Sequence, residues 1–179
     1  MKKYQIIYAD PPWKIQNASK IWYKCYSPIE YKYPTMDLEQ IKKLPIAQLT
    51  DTNCGLFLWT THTFLEKAFE VLKSWGFNYH CCITWYKKCG FSVWGFHRNT
   101  EFCLYAYKGK ININQKGKFI PTFIMETKRK HSQKPDIVRK WIESNTPEPR
   151  LELFARQKTE GWDVWGNEVE SDINLEVLK

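Results

Sequence analysis

The feature that most narrows the fold is the abrupt end of the first apolar run. Residues 4–9, Tyr-Gln-Ile-Ile-Tyr-Ala, are followed at once by Asp10-Pro11-Pro12-Trp13. A short apolar run bounded by a turn signal reads as a buried strand. Proline has no N–H for the ladder and restricts the residue before it, so this strand must stop at Asp10. Asp10 is thereby expected at the carboxyl end of a buried strand. Residues 55–60 (Gly-Leu-Phe-Leu-Trp-Thr) form a second apolar run, and residues 64–74 place Leu65, Ala68, Phe69 and Leu72 on one helical face. Thr63 with Glu66 predicts a capping box for that helix, and Gly76 its stop. Further strands are expected over 78–86, 101–107, 121–125 and 151–155, with a helix over 136–144. Strands alternating with helices predict a three-layer α/β sheet whose ligands bind at the carboxyl ends of the strands. That rule puts Asp10 and Arg156 in one crevice.

A length of 179 residues predicts one domain over 1–179. Patterning is weakest over 14–34, 87–99 and 108–119, so 14–34 and 87–120 are expected to be substrate-facing loops. The first carries Trp22, Tyr23, Tyr26, Tyr31 and Tyr33 among Lys14, Lys20, Lys24 and Lys32, which suits a segment that orders over a nucleic-acid strand. Packing of those rings on the core is the competing reading. The N-terminus lacks the apolar core of a signal peptide, and no run approaches the eighteen apolar residues of a membrane span. The expectation is a cytoplasmic protein without a membrane partner. The six cysteines show no C-x-x-C spacing and, with four histidines, no zinc pattern. Reduced thiols and no metal are expected.

Charge sharpens the choice of partner. The chain carries 27 Lys and Arg against 19 Asp and Glu, and 29 of its residues are aromatic. Between residues 108 and 140 ten basic side chains face two acidic ones, leaving the rest balanced at 17 against 17. A solvated surface accounts for such a cluster as well as a nucleic-acid face does.

Asp10-Pro11-Pro12-Trp13 points to a particular chemistry. An adenine exocyclic amine is a poor nucleophile because its lone pair is delocalised into the ring. A carboxylate and a backbone carbonyl that accept its two hydrogens localise that pair. Prolines suit the task, since they bring no competing N–H and fix where the carbonyl points. Trp13 is expected to offer a face to an extruded base, with stacking worth roughly 1–3 kcal/mol. A strand ending in a Pro-Pro turn with a core tryptophan is the plain alternative.

The motif, and the order of those after it, resembles the MT-A70 family of S-adenosylmethionine-dependent N6-adenine methyltransferases. The resemblance runs from Asp10 to Glu168 and is greatest to compact phage and bacterial members. It implies a Rossmann-like three-layer methyltransferase fold with permuted motif order, the catalytic motif first and the cofactor motif last. Asp10, Pro11, Pro12 and Trp13 would be catalytic. Within Gly95-Phe96-His97-Arg98-Asn99-Thr100-Glu101, which resembles the segment holding the target nucleotide, Arg98, Asn99 and Glu101 would bind substrate. In His131-Ser132-Gln133-Lys134-Pro135-Asp136, Lys134 would lie near the methionyl carboxylate of the cofactor, with Pro135 at the first helical position. Leu151–Arg156 and Gly161–Glu168 resemble the cofactor signature, with Phe154 and Arg156 flanking the adenosine and Asn167 and Glu168 on the ribose. Asp10 would also touch the cofactor. The implied function is methyl transfer to adenine N6 in nucleic acid, DNA before RNA. Methylation of RNA and a catalytically inactive nucleic-acid-binding subunit are the alternatives, and a homodimer or a partner subunit stays open.

Overall fold

The computed structural model describes residues 2–14, 34–93, 95–114, 116, 119–127 and 133–175. Among them lie seven strands, β1 (Tyr4–Ala9), β2 (Thr50–Thr60), β3 (Asn78–Val93), β4 (Phe96–Lys108), β5 (Phe123–Met125), β6 (Arg150–Leu153) and β7 (Asp163–Trp165). Three α-helices accompany them, α1 (Leu38–Lys42), α2 (Leu65–Ser74) and α3 (Asp136–Asn145). The strands form one sheet in the order β5-β3-β4-β2-β1-β6-β7. β2, β1, β6 and β7 are mutually parallel, and β3 is parallel to β5. Only β4 reverses, pairing antiparallel with both β2 and β3. This is the Rossmann-like, three-layer arrangement.

Strand alternation sorts the core into two halves, because successive side chains point to opposite faces. Ile7, Leu56, Leu58, Leu104, Leu151 and Leu153 face α1 and α2, where Ile41, Ala68, Val71 and Leu72 meet them. Ile6, Tyr8, Phe57, Trp59, Ile83, Trp85, Cys103 and Tyr105 face α3, which supplies Val138 and Ile142. Each such aliphatic or aromatic side chain contributes about 1.5–3 kcal/mol on burial. Arg139 of α3 lies between the Tyr8 and Trp162 rings, 4.9 and 5.1 Å from their centroids, and pairs with Glu152 at 2.6 Å. The buried cation is thus neutralised by a carboxylate while its planar group covers aromatic surface.

Several local expectations change. Helix α2 has Phe64, not Thr63, at its N-cap and no side-chain cap, so there is no Thr63–Glu66 capping box. Phe64 is drawn inward to stack on Trp13, and the Thr63 hydroxyl accepts a hydrogen bond from Arg98 instead. A capping box does occur one helix earlier. Asp37 and Gln40 satisfy each other's backbone N–H groups at 2.8 and 2.9 Å at the start of α1, a helix the apolar pattern does not announce. Gly76, with φ at +79°, stops α2 as expected. Pro135 is the N-cap of α3 rather than its first helical residue. The stretch 87–99 is no loop, since β3 and β4 continue as a paired hairpin through Val93 and Phe96. Its described side chains beyond Tyr86 are half-buried or exposed, so no apolar alternation marks it. Of the aromatic loop 14–34, all but Lys14 and Pro34 lie outside the described residues, as do His131 and residues 128–130. Among the described residues no helix is long and apolar enough to cross a membrane. Cys54, Cys81, Cys82 and Cys103 are free thiols.

Candidate active site

The carboxyl ends of β1, β2, β6 and β7 share one end of the sheet. Because β4 runs the other way, its first residues arrive there, with Phe102 opposite Thr60 and Glu101 opposite Trp85. Strand parity then chooses the face. Asp10 continues the Ile6–Tyr8 series, Glu101 the Cys103–Tyr105 series and Lys87 the Ile83–Trp85 series, all toward the layer of α3. Lys134, just ahead of α3, completes the group.

These residues form a chain of alternating charge. Lys134 Nζ lies 2.8 Å from Asp10 Oδ2 and 3.2 Å from Glu101 Oε2, and Lys87 Nζ lies 2.8 Å from Glu101 Oε1. Beneath it, Lys134 sits over the Trp59 ring and Lys87 over the Trp85 ring, at 5.6 and 6.0 Å from the centroids. The two indoles meet edge to face, with centroids 6.1 Å apart. Burial pushes the Asp10 carboxyl above its ordinary value, and the Lys134 ammonium only partly offsets it. Burial acts on Glu101 in the same sense, but Lys134 and Lys87 together outweigh it and hold that carboxyl below its ordinary value. Lys134, which burial alone would lower, is raised to about 12 by the two carboxylates. Two carboxylates whose affinities for a proton are driven apart can take different roles, Asp10 as acceptor and Glu101 as fixed charge.

On the other side of Asp10 opens a cleft lined by Asp10, Pro12, Phe154, Arg156, Asn167 and Glu168 among others. Phe154 takes a left-handed conformation, φ 62°, and its ring meets Trp165 edge to face at 5.5 Å. The Ala155 N–H donates to the Trp165 carbonyl at 2.9 Å, which draws the segments after β6 and β7 together. Gly166 makes this approach possible. A Cβ there would lie 2.1 Å from the Ala155 carbonyl oxygen. Arg156 Nε is 3.5 Å from Glu168 Oε1 across the mouth.

Of the residues singled out from sequence, Asp10, Phe154, Arg156, Asn167 and Glu168 meet at this cleft, and Lys134 reaches Asp10 from outside it. Glu101 belongs to the charge chain, and Asn99 stands two residues before it on β4. Arg98 donates to the Thr63 hydroxyl at 3.1 Å, tying the hairpin to the turn before α2. Trp13 is corrected. Its ring is only 8% exposed, stacks on Phe64 at 5.4 Å, and its indole N–H donates to the Trp59 carbonyl at 3.3 Å. One face is taken and the polar edge is satisfied, so Trp13 is a core anchor of the turn and no platform for a base. The Pro11 carbonyl accepts the Trp13 N–H at 2.9 Å and the Pro12 carbonyl that of Met36 at 2.8 Å. Each keeps a second lone pair. The basic stretch 108–140 is also not one face. Lys108 lies opposite Cys54, at the far end of the sheet, Arg139 is packed within the α3 layer, and Lys134 is in the charge chain. Lys87 was missed because it falls just past the expected strand 78–86, although it continues the parity of Ile83 and Trp85.

The pattern of the family described as MT-A70 matches residues 4–168. The chain is 33% identical to the type II methyltransferase M.MunI of Mycoplasma sp over 94% of its own length and 78% of that protein. It is 28% identical to the N(6)-adenosine-methyltransferase catalytic subunit METTL3 of Homo sapiens, over 94% of this chain and 28% of the relative. A putative N(6)-adenosine-methyltransferase of Medicago truncatula matches at 29%, over 26% of its length. The chain therefore spans about a quarter of these eukaryotic relatives and most of the Mycoplasma one. With the match reaching from the first strand to the cleft residue Glu168, the chain belongs to the MT-A70 family.

Proposed function

We propose that this chain moves a methyl group from S-adenosylmethionine to the N6 amine of adenine in nucleic acid, with DNA favoured. The observation that carries the reading is that Asp10 faces both the cleft and the buried charge chain. The cleft residues suit the cofactor. Phe154 with Trp165 offers an aromatic edge to an adenosine, and Asn167 and Glu168 are acceptors for a ribose diol. Lys134 suits a carboxylate that shares its ammonium with Asp10 and Glu101. Bound S-adenosylmethionine supplies an electrophilic methyl on a positively charged sulfur. The chain's own work is positional and electrostatic. Asp10 and the free lone pair of the Pro11 carbonyl accept the two amine hydrogens, and the raised proton affinity of Asp10 suits it to receive the one released. Arg98 and Asn99 stand on β4 beside this end of the sheet, where they suit a phosphate and a base edge. DNA is favoured because the relative spanned over most of its length is a type II methyltransferase, and the N(6)-adenosine methyltransferases are matched in a minor part of theirs.

The test incubates the protein and methyl-labelled S-adenosylmethionine with DNA and RNA separately, then digests each and measures N6-methyladenine by mass spectrometry. Label in adenine N6 of DNA above RNA is expected, and Asp10→Ala should lose about 10²–10³-fold in rate while keeping most nucleic-acid affinity. Retained methylation in Asp10→Ala would sink the mechanism, and label confined to RNA would reverse the substrate.

A further inference from the structure

Lys87 stands on the part of β3 that runs on into the exposed hairpin, where a lysine ordinarily extends into water. Here its side chain is only 13% exposed and its ammonium is turned inward onto Glu101. The residue after it, Lys88, has φ at +59°, and the β3–β4 register shifts between Tyr86 and Phe91. The irregularity follows directly on the inward-facing position. Glu101 divides its two oxygens, Oε1 to Lys87 and Oε2 to Lys134, and Lys134 in turn reaches Asp10.

We propose that Lys87 is a positioning residue for methyl transfer, fixing the Glu101 carboxylate so that Glu101 aims Lys134 at Asp10. The proposal rests on the methyltransferase reading of the site. Lys87 touches neither the cleft nor Asp10 and acts through Glu101. With it the four side chains sum to zero charge. Without it two carboxylates share one ammonium, Glu101 and Asp10 compete for Lys134, and proton uptake relieves the excess negative charge. The groups facing Glu101 are Lys87 from β3, Lys134 ahead of α3 and Asp10 after β1, with Cys103 nearby on β4 and His62 beyond Thr100. Loss of Lys87 removes one of the two cations that keep Glu101 ionised, so the acid limb of any activity requiring ionised Glu101 moves to higher pH.

The experiment compares wild type with Lys87→Met, Lys87→Gln and Lys87→Arg. It records the pH dependence of kcat on adenine-containing DNA, the affinity for S-adenosylhomocysteine by calorimetry, and the Glu101 carboxyl titration by carbon NMR. Expected for Met and Gln is a fall in kcat of about tenfold at neutral pH. The acid limb and the Glu101 titration should both move up by about one pH unit. Cofactor affinity should fall by less than kcat does, since Lys87 lies outside the cleft and reaches the cofactor's carboxylate only through Glu101 and Lys134. Arg should restore both rate and profile. Superimposable profiles, or a rate loss that leaves the acid limb in place and that Arg does not repair, overturn the proposal. If Met does not fold, Gln carries the comparison. A wild-type protein that methylates nothing defeats the underlying reading and the proposal with it. The carbon signal then reports separately whether Lys87 governs Glu101.

Discussion

On the β7 side of Asp10, Arg156 meets Glu168 at 3.5 Å with side chains 40% and 50% exposed. On the β4 side, Lys134 meets Asp10 at 2.8 Å with side chains 12% and 28% exposed. The two ion pairs share a sheet end and differ in solvent. Water and salt screen the first, so its partners separate at little cost. The second is enclosed, with Lys134 over the Trp59 ring, and there each charge depends on the other. One side of the site is built to open, and the other holds its charges fixed. Asp10 links them.

Breaking the enclosed side should have the largest effect. Lys134→Met leaves Asp10 and Glu101 without their shared ammonium and is expected to cost about 3–5 kcal/mol, measured by urea unfolding at neutral pH. The pH dependence gives the sign. Lys134 holds its proton more tightly folded than unfolded, so its contribution is complete below 10.5 and is lost as pH rises through about 12. Lys134→Met should lack that alkaline loss, and an unchanged alkaline profile would show that the pair contributes nothing. Glu101 behaves oppositely. Its lowered proton affinity stabilises the fold above the ordinary carboxylate value and is lost as pH falls through the lower folded value.

A smaller effect is expected on the open side from Gly166→Ala. Its Cβ would force the Ala155 and Trp165 segments apart, at a cost of about 1–3 kcal/mol, together with weaker S-adenosylhomocysteine binding by calorimetry. Full retention of both stability and affinity would mean that the segments part freely. Arg156→Ala should do least. Thermal unfolding should register under about 1 kcal/mol, shrinking further at high salt. A change as large as that of Lys134→Met would erase the contrast between the two sides.

What could be read from the chain alone followed the range of the interactions. Tyr4–Ala9 was bounded by its own prolines, and α3 by its own periodicity, so both were visible locally. β7 is three residues long and pairs only with β6, too short for any alternation to register. The residues expected around a cofactor came from motif resemblance, and Asp10, Phe154, Arg156, Asn167 and Glu168 line one cleft while Lys134 stands outside it. Their partners did not come with them. Lys134 finds Asp10 across 124 positions of sequence, and no local pattern says that its charge is already shared. Trp13 shows the same limit from the apolar side, since only the packed turn reveals that Phe64 has taken its face. The basic stretch 108–140 misled because nearness in sequence is not nearness in space. β4 ends at Lys108 on the far side of the sheet, and α3 begins beside Lys134 on the near side.

The reversed strand has one more effect. β4 reaches the site from the hairpin tip and then runs seven consecutive pairs along β2, from Phe102 against Thr60 to Lys108 against Cys54. Those downstream pairs, not the tip, hold Glu101 in register. The turn beyond the Phe91–Arg98 pair takes no part in that register. On the proposed reading, residues added to or trimmed from that turn would change how far the protein reaches over a bound strand without moving Glu101.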